Sequence, residues 1–154
     1  MQLAVRGPGP IRGCESVNGI LLQVEYLAHL WEIMQTILIV DDSPTAREMV
    51  SSQLRQSGFK VLEAEDGEAA IASIQAQTPN LVVTDIVMPR KNGYELTRWI
   101  KNNPVTQHIP VVMCTSKSEE FDIYWGMKQG ADAYITKPYH PPDLINAVKQ
   151  LLNL

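Results

Sequence analysis

Asp85 closes an apolar run, Leu81-Val82-Val83-Thr84, and Ile86-Val87-Met88-Pro89 follows at once. A second apolar run, Ile37-Leu38-Ile39-Val40, ends in the acids Asp41-Asp42. Two buried strands would thus deliver three carboxylates to one edge of a sheet. Adjacent carboxylates repel one another strongly unless a divalent cation sits among them. Oxygen-only donors favour Mg²⁺, with Mn²⁺ as the alternative, over zinc or copper. Asp85 is then left to act as a nucleophile. Attack of a carboxylate on phosphorus gives an acyl phosphate, a labile, high-energy linkage, and the cation would neutralise charge on the incoming group. Lys137 closes a later apolar strand just before Pro138 and would supply a fixed positive charge from the other side. Thr115 offers a hydroxyl able to donate to a phosphoryl oxygen. The competing reading of Asp41-Asp42 is a pair of acids favoured by a helix N-terminus. Ser43 can already serve as that cap, so this reading leaves both acids without a task.

The elements that must hold these residues alternate from Gln35 onward. Strands are predicted over Thr36–Val40, Phe59–Glu63, Asn80–Thr84, Ile109–Cys114 and Ala133–Thr136. Helices are predicted over Pro44–Ser57, from Asp66 or Gly67 to Gln77, and over Tyr94–Asn102, Ser118–Gln129 and Pro142–Leu152. Ser43 is the expected cap of the first, with Pro44 in its first turn and Gly58 at its end. Ser118 is the expected cap of the fourth, with Gly130 after it. Ala69, Ala70, Ile71 and Ile74 should pack inward, as should Leu96, Trp99 and Ile100. Continuous apolar strands without in–out alternation imply a parallel sheet covered on both faces. Right-handed crossovers then give a doubly wound α/β sheet, in which chemistry collects outside the carboxyl ends of the strands. Asp41-Asp42, Asp85, Thr115-Ser116 and Lys137-Pro138 all fall at such ends.

The chain has 154 residues, 45% of them hydrophobic, and a formal net charge of −4; its mean hydropathy is −0.10. This describes one ordinary globular domain with a modest tail. The acidic balance and the lack of a basic cluster argue against nucleic acid as a partner. Cys14 and Cys114 show no zinc spacing, and Cys114, inside an apolar run, reads as a small buried hydrophobe in a reduced, cytoplasmic protein. No window approaches the ~18 consecutive apolar residues of a membrane span, so no membrane insertion is expected. Arg6 is followed by Gly, Pro and polar residues rather than the apolar segment of a signal peptide.

Four stretches carry a resemblance: Ile37-Leu38-Ile39-Val40-Asp41-Asp42-Ser43, residues 82–89 (VVTDIVMP), 111–116 (VVMCTS) and 130–138 (GADAYITKP). As a set they resemble the receiver domain of two-component response regulators, the CheY-like fold, over about Gln35 to Leu154. The resemblance implies a five-stranded (βα)5 sheet of strand order 2-1-3-4-5. It makes Asp85 the phospho-acceptor, with Mg²⁺ held directly by Asp42, largely through water by Asp41, and by the backbone carbonyl of Val87. Thr115 becomes the switch hydroxyl, Lys137 the phosphate-binding lysine, Pro138 a cis-proline and Tyr134 the aromatic switch. A sensor histidine kinase would donate the phosphoryl group. Thr115 would then move toward it and Tyr134 would turn inward. The surface of the fourth receiver helix (Ser118–Gln129), the fifth strand and the last helix would change shape for a downstream protein to read. Tyr124 and Trp125, with Tyr134, are the candidate partner surface, and one of the first two should face outward. The run Trp125-Gly126-Met127-Lys128-Gln129-Gly130-Ala131 resembles the single-domain receivers of twitching-motility and phototaxis systems, the PilH-like group. Two positions depart from chemotaxis receivers: Val87, two residues beyond Asp85, and Lys117, two beyond Thr115. Neither can accept a hydrogen bond from an attacking water, which predicts slow self-dephosphorylation.

Residues 1–34 stand apart. The first 19 are rich in Gly and Pro without a period and read as disordered. Ile20, Val24, Leu27, Trp31 and Met34 form a weak helical stripe. Either it is an amphipathic helix that docks on a partner or on the domain, or Met34 is the true translation start. No output domain follows the last helix, so output is expected through protein contacts unless the protein is a phosphate sink. A haloacid dehalogenase-type phosphatase would need an acid two residues after its nucleophile, where Val87 and Ser43 stand. A flavin phosphate would be repelled by Asp41-Asp42. A phosphorylation-independent binding module would have no use for the acids.

Overall fold

The structure is a computed structural model and describes residues 17–32 and 34–154. The chain divides into two compact units, Met1–Met34 and Gln35–Leu154. The described part of the first is helix α1, Val17–Glu32, which contains Ile20, Val24 and Leu27 of the predicted stripe. Residues 1–16, with Cys14, and the side chain of Trp31 lie outside the described residues.

The second unit is built from β1 (Thr36–Val40), α2 (Pro44–Gln56), β2 (Lys60–Ala64), α3 (Gly67–Ala76), β3 (Leu81–Thr84), α4 (Gly93–Asn102), β4 (Val111–Thr115), α5 (Glu120–Gln129), β5 (Ala133–Thr136) and α6 (Pro141–Leu151). All five strands are parallel, in the order β2-β1-β3-β4-β5. The burial follows that order. Every residue of β1, β3 and β4 is buried, whereas the edge strands β2 and β5 are mostly half-buried. Central strands covered on both faces need the continuous apolar runs seen in the sequence.

Alternate residues of the strands feed two cores. Ile37, Ile39, Val83, Val112 and Cys114 pack with Val50 and Leu54 of α2 and Leu144 and Val148 of α6. Leu38, Val40, Val82 and Val111 pack with Ala70 and Ile74 of α3 and Leu96 and Ile100 of α4. Ala69, Ile71 and Trp99 are partly buried against the second core. The register brings Val40 level with Ala64 and Thr84, and Thr115 level with Thr136. The strands thus end together on one edge.

The helix starts follow capping chemistry. The Ser43 hydroxyl accepts from Ala46 N at 3.3 Å, Asp66 Oδ1 from Ala69 N at 2.8 Å, and Asn92 Oδ1 from Glu95 N at 2.9 Å. Gly58 takes φ of +90° just past α2, the left-handed position that ends helices. The expected Ser118 cap is not formed. Glu119 occupies the N-cap of α5 without a side-chain bond, so that end is held by its acids in the first turn, Glu120 and Asp122, acting on the helix dipole.

Asp66 does a second task. It is buried and takes an ion pair from the Arg90 guanidinium, whose Nε lies 2.5 Å away, tying the β3–α4 loop to the start of α3. The Ala69 amide holds the carboxyl below its ordinary value; burial opposes this and the Arg90 bond adds to it. Asp66→Ala removes a cap and one of the two acids that pair with Arg90, the other being Glu65, and is expected to cost about 1–2 kcal/mol in urea unfolding. Because the folded pKa is lowered, this contribution is complete above the unfolded value of 3.8 and lost as pH falls through the folded one. A cost that persists unchanged at pH 2 would contradict it.

Candidate functional site

The backbone delivers each site residue as its strand runs out. Asp41 N donates to Ala64 O at 3.2 Å, Asp85 N to Val40 O at 2.9 Å, and Lys137 N to Thr115 O at 2.8 Å. The ladder therefore continues one residue past the strands and fixes where these side chains emerge.

Three of the predicted residues meet. Lys137 Nζ lies 2.9 Å from Asp41 Oδ2 and 3.2 Å from Asp85 Oδ2. The other oxygen of each carboxylate is held by backbone: Asp41 Oδ1 accepts from Ser43 N at 2.9 Å and Asp85 Oδ1 from Ile86 N at 2.6 Å. Each acid is thus oriented by an amide and leaves one oxygen facing the same cation. Asp41 and Asp85 side chains are 7% and 14% exposed, and that of Lys137 is 24%. Burial acts against the lysine charge. The bond to Asp41 and the charges of Asp85 and Asp41 outweigh it and hold Lys137 above its ordinary pKa.

Asp42 is exposed, and among the described residues no three His, Cys, Asp or Glu side chains group to hold a metal ion. The cation between Asp41 and Asp85 is an ammonium, which removes the repulsion that the sequence left open. The donor chemistry still fits a hard divalent ion, since every nearby ligand is a carboxylate or carbonyl oxygen.

Thr115 is buried, and its hydroxyl accepts from Lys117 N at 3.4 Å. The Lys137–Pro138 peptide is cis. Val87 is 56% exposed beside the site. The half-buried Tyr134 donates its hydroxyl to Lys117 O at 2.7 Å. On α5, Phe121, Tyr124 and Trp125 are all exposed, at 71%, 60% and 40%. The first and last stack with ring centroids 6.4 Å apart. Both consecutive aromatics face outward, not one. Cys114 is buried, and burial pushes its thiol up to about 12, which leaves it inert.

Two supports were not legible from the sequence. Arg47 Nη1 donates to Asp41 O at 2.7 Å, and its Nε lies 3.6 Å from Glu63 Oε1; nothing local marks a helical arginine as a clamp on the preceding strand end. Gly93 opens α4 directly against the Asp85–Ile86 backbone. Its N donates to Ile86 O at 2.9 Å, and a Cβ there would meet the Asp85 carbonyl and lie 2.8 Å from Ile86 Cα. The helix can seat this close to the site only without a side chain.

A parallel sheet of this order, carrying an acid–lysine–acid cluster at its carboxyl edge, defines a doubly wound α/β domain with its candidate chemistry at the strand ends. The model of the response regulator receiver domain matches residues 37–149, and the chain belongs to that family. It is 40% identical to Protein PilH of Pseudomonas aeruginosa over 77% of this chain and 98% of PilH. It is 39% identical to Protein PilG of the same organism over 73% of this chain and 84% of PilG. The match to the phosphate regulon transcriptional regulatory protein PhoB of Pseudomonas aeruginosa, 42% identical, spans 77% of this chain but about half of PhoB, 52%. Among solved structures, a putative response regulator from Chloroflexus aurantiacus superposes with TM-score 0.76 at 33% identity, over 79% of this chain and 99% of that one. The chemotaxis protein CheY4 of Vibrio cholerae gives 0.72 at 29%, over 77% and 98%. The chain is therefore a receiver of phosphorylation-based two-component signalling, a class phosphorylated by sensor histidine kinases. Among the described residues, no helix is long and apolar enough to cross a membrane.

Proposed function

We propose that residues 35–154 form a receiver that takes a phosphoryl group on Asp85 from a histidine kinase. Residues 1–34 are an extension to it. The observation that carries this is the convergence of Asp41 and Asp85 on Lys137 Nζ, at 2.9 and 3.2 Å, on the carboxyl edge of the sheet. Asp85 Oδ2 forms a bond to phosphorus as the phosphorus–nitrogen bond of a phosphohistidine breaks. The Ile86 amide holds Oδ1 and so presents Oδ2 to the incoming group. Lys137 transfers its hydrogen bond from the carboxylate to a phosphoryl oxygen, and Thr115 donates to another. Asp41, Asp42, Asp85 and the Val87 carbonyl would hold Mg²⁺, or Mn²⁺. When bound, the ion neutralises charge on the phosphoryl group.

Movement of Thr115 toward the phosphoryl group then favours the inward position that the Tyr134 ring already takes beneath α5, and reshapes the face of α5, β5 and α6. A downstream protein in the cytoplasm reads Tyr124, Trp125 and Tyr134 there. The resemblance of residues 125–131 to the PilH-like group supports a place in motility or phototaxis, and the 40% identity to Protein PilH accords with that group. The chain is a signalling module, not a classical enzyme; it catalyses only its own phosphoryl transfer and its slow loss.

Intact mass after incubation with acetyl phosphate and Mg²⁺ tests this. Wild type is expected to gain one phosphoryl group, and Asp85→Asn or chelator to abolish the gain. No gain in wild type would favour a phosphorylation-independent binding module.

A further inference from the structure

Helix α5 carries a glycine in its interior, where that residue weakens a helix. Gly126 is the one buried residue of α5 among those described. A Cβ on it would lie 2.8 Å from Met113 Sδ, 2.9 Å from Tyr134 Cε2 and 3.0 Å from Tyr134 Cδ2, inside the contact distance of carbon on carbon. The ring of Tyr134 therefore occupies the space that a side chain at 126 would need. The ring is fixed at its other end by the 2.7 Å bond from its hydroxyl to Lys117 O. It shares one cluster with Ile86, Met113, Ala131 and Tyr94, and Tyr94 in turn donates to Asp122 O of α5 at 3.4 Å. One residue before Gly126, Trp125 stacks on Phe121 at the exposed face. Gly126 thus lies between the inner tyrosine and the outer aromatic pair.

We propose that Gly126 is a positioning residue for Tyr134: its missing Cβ forms the seat that lets the ring lie inward beneath α5. A side chain at 126 displaces the ring outward, because a tyrosine can change rotamer more cheaply than α5 can lift off Met113 and Ala131. The inward population of Tyr134 is then set by position 126. By linkage, anything that favours the inward ring also favours whatever the inward state binds more tightly. This last step rests on the reading of Tyr134 as the switch.

Tyrosine-labelled protein, with the Tyr134 ring signal assigned through Tyr134→Phe, provides the test by NMR. In Gly126→Ala the Tyr134 signal is expected to move to a solvent-exposed position, while those of Tyr26 and Tyr139 stay. An unchanged Tyr134 signal in a folded Gly126→Ala protein overturns the proposal. If Gly126→Ala does not fold, the double variant Gly126→Ala/Tyr134→Ala is expected to fold, since the vacated ring space lets the flexible Met113 thioether give way to the Cβ. Failure of the double variant to fold would also overturn it. Binding of beryllofluoride with Mg²⁺ separates the seat from the switch. Gly126→Ala is expected to weaken it roughly fivefold, with no difference between Tyr134→Ala and the double variant. A displaced ring with unaltered beryllofluoride affinity upholds the seat and removes the switch role of Tyr134.

Discussion

Replacing Lys137 by alanine is expected to lower the stability of the domain by about 2–4 kcal/mol in magnesium-free buffer at neutral pH. The lysine is the shared partner of Asp41 and Asp85, at 2.9 and 3.2 Å. Removing one member of a buried ion pair leaves an uncompensated charge and costs about 3–5 kcal/mol. The lysine side chain is 24% exposed, so solvent reduces that cost somewhat. Here two carboxylates would be left facing each other, both still oriented by backbone amides that prevent them from turning away. The same argument says what relieves the loss. Mg²⁺ supplies charge to the same oxygens, so it should narrow the gap between variant and wild type. Lys137 is held above its ordinary value of 10.5, so its contribution is whole below that pH and is lost as pH rises through the folded value. Urea unfolding of both proteins, with and without Mg²⁺, decides the matter. Equal stability at neutral pH without the ion would mean that the lysine does not hold the acids.

How far the sequence carried the structure depended on whether a feature was local. The apolar runs of β1, β3 and β4 are buried along their whole length, and a run of that kind has few uses other than a central parallel strand. The acids and the lysine could be placed at strand ends because the runs stop at them. Strand order is a different matter. No periodicity encodes it, and 2-1-3-4-5 came from the family resemblance. The departures are all tertiary. Asp42 follows Asp41 in sequence yet is exposed, while the carboxylate of Asp41 is buried and held by Ser43 N and Lys137. Ser118 looks like a helix cap, but α5 starts one residue too late to use it. Nothing local in the sequence marks Gly93 or Gly126. Their importance lies in what approaches them, the Asp85 backbone in one case and the Tyr134 ring in the other. Arg47 and the Asp66–Arg90 bond join residues whose partners lie 6 and 24 positions away. A pattern of neighbours cannot specify such pairs.

Val87→Asn is expected to speed loss of the phosphoryl group from Asp85 about tenfold. Hydrolysis of an acyl phosphate needs a water in line with the bond from phosphorus to Asp85. The residues that could aim it stand two positions beyond Asp85 and two beyond Thr115. Val87 is 56% exposed and has no polar atom in its side chain. Lys117 can donate but not accept, and its Nζ lies 3.9 Å from Asp122 Oδ1, on α5. Neither can take a proton-side hydrogen bond from the water. An amide at 87 supplies an acceptor on a side chain already at the solvent edge, so the fold should tolerate it within about 0.5 kcal/mol. One added hydrogen bond in the transition state, worth about 1–1.5 kcal/mol, converts to about a factor of ten in rate. Val87→Leu is the control, since it changes size without adding an acceptor, and its decay should match wild type. The measurement is the fall of the phosphorylated mass with time after the donor is removed. Equal decay in wild type and Val87→Asn would show that the water is aimed from elsewhere. An increase in Val87→Leu as well would assign the slow decay to steric shielding by the valine rather than to its missing hydrogen bond.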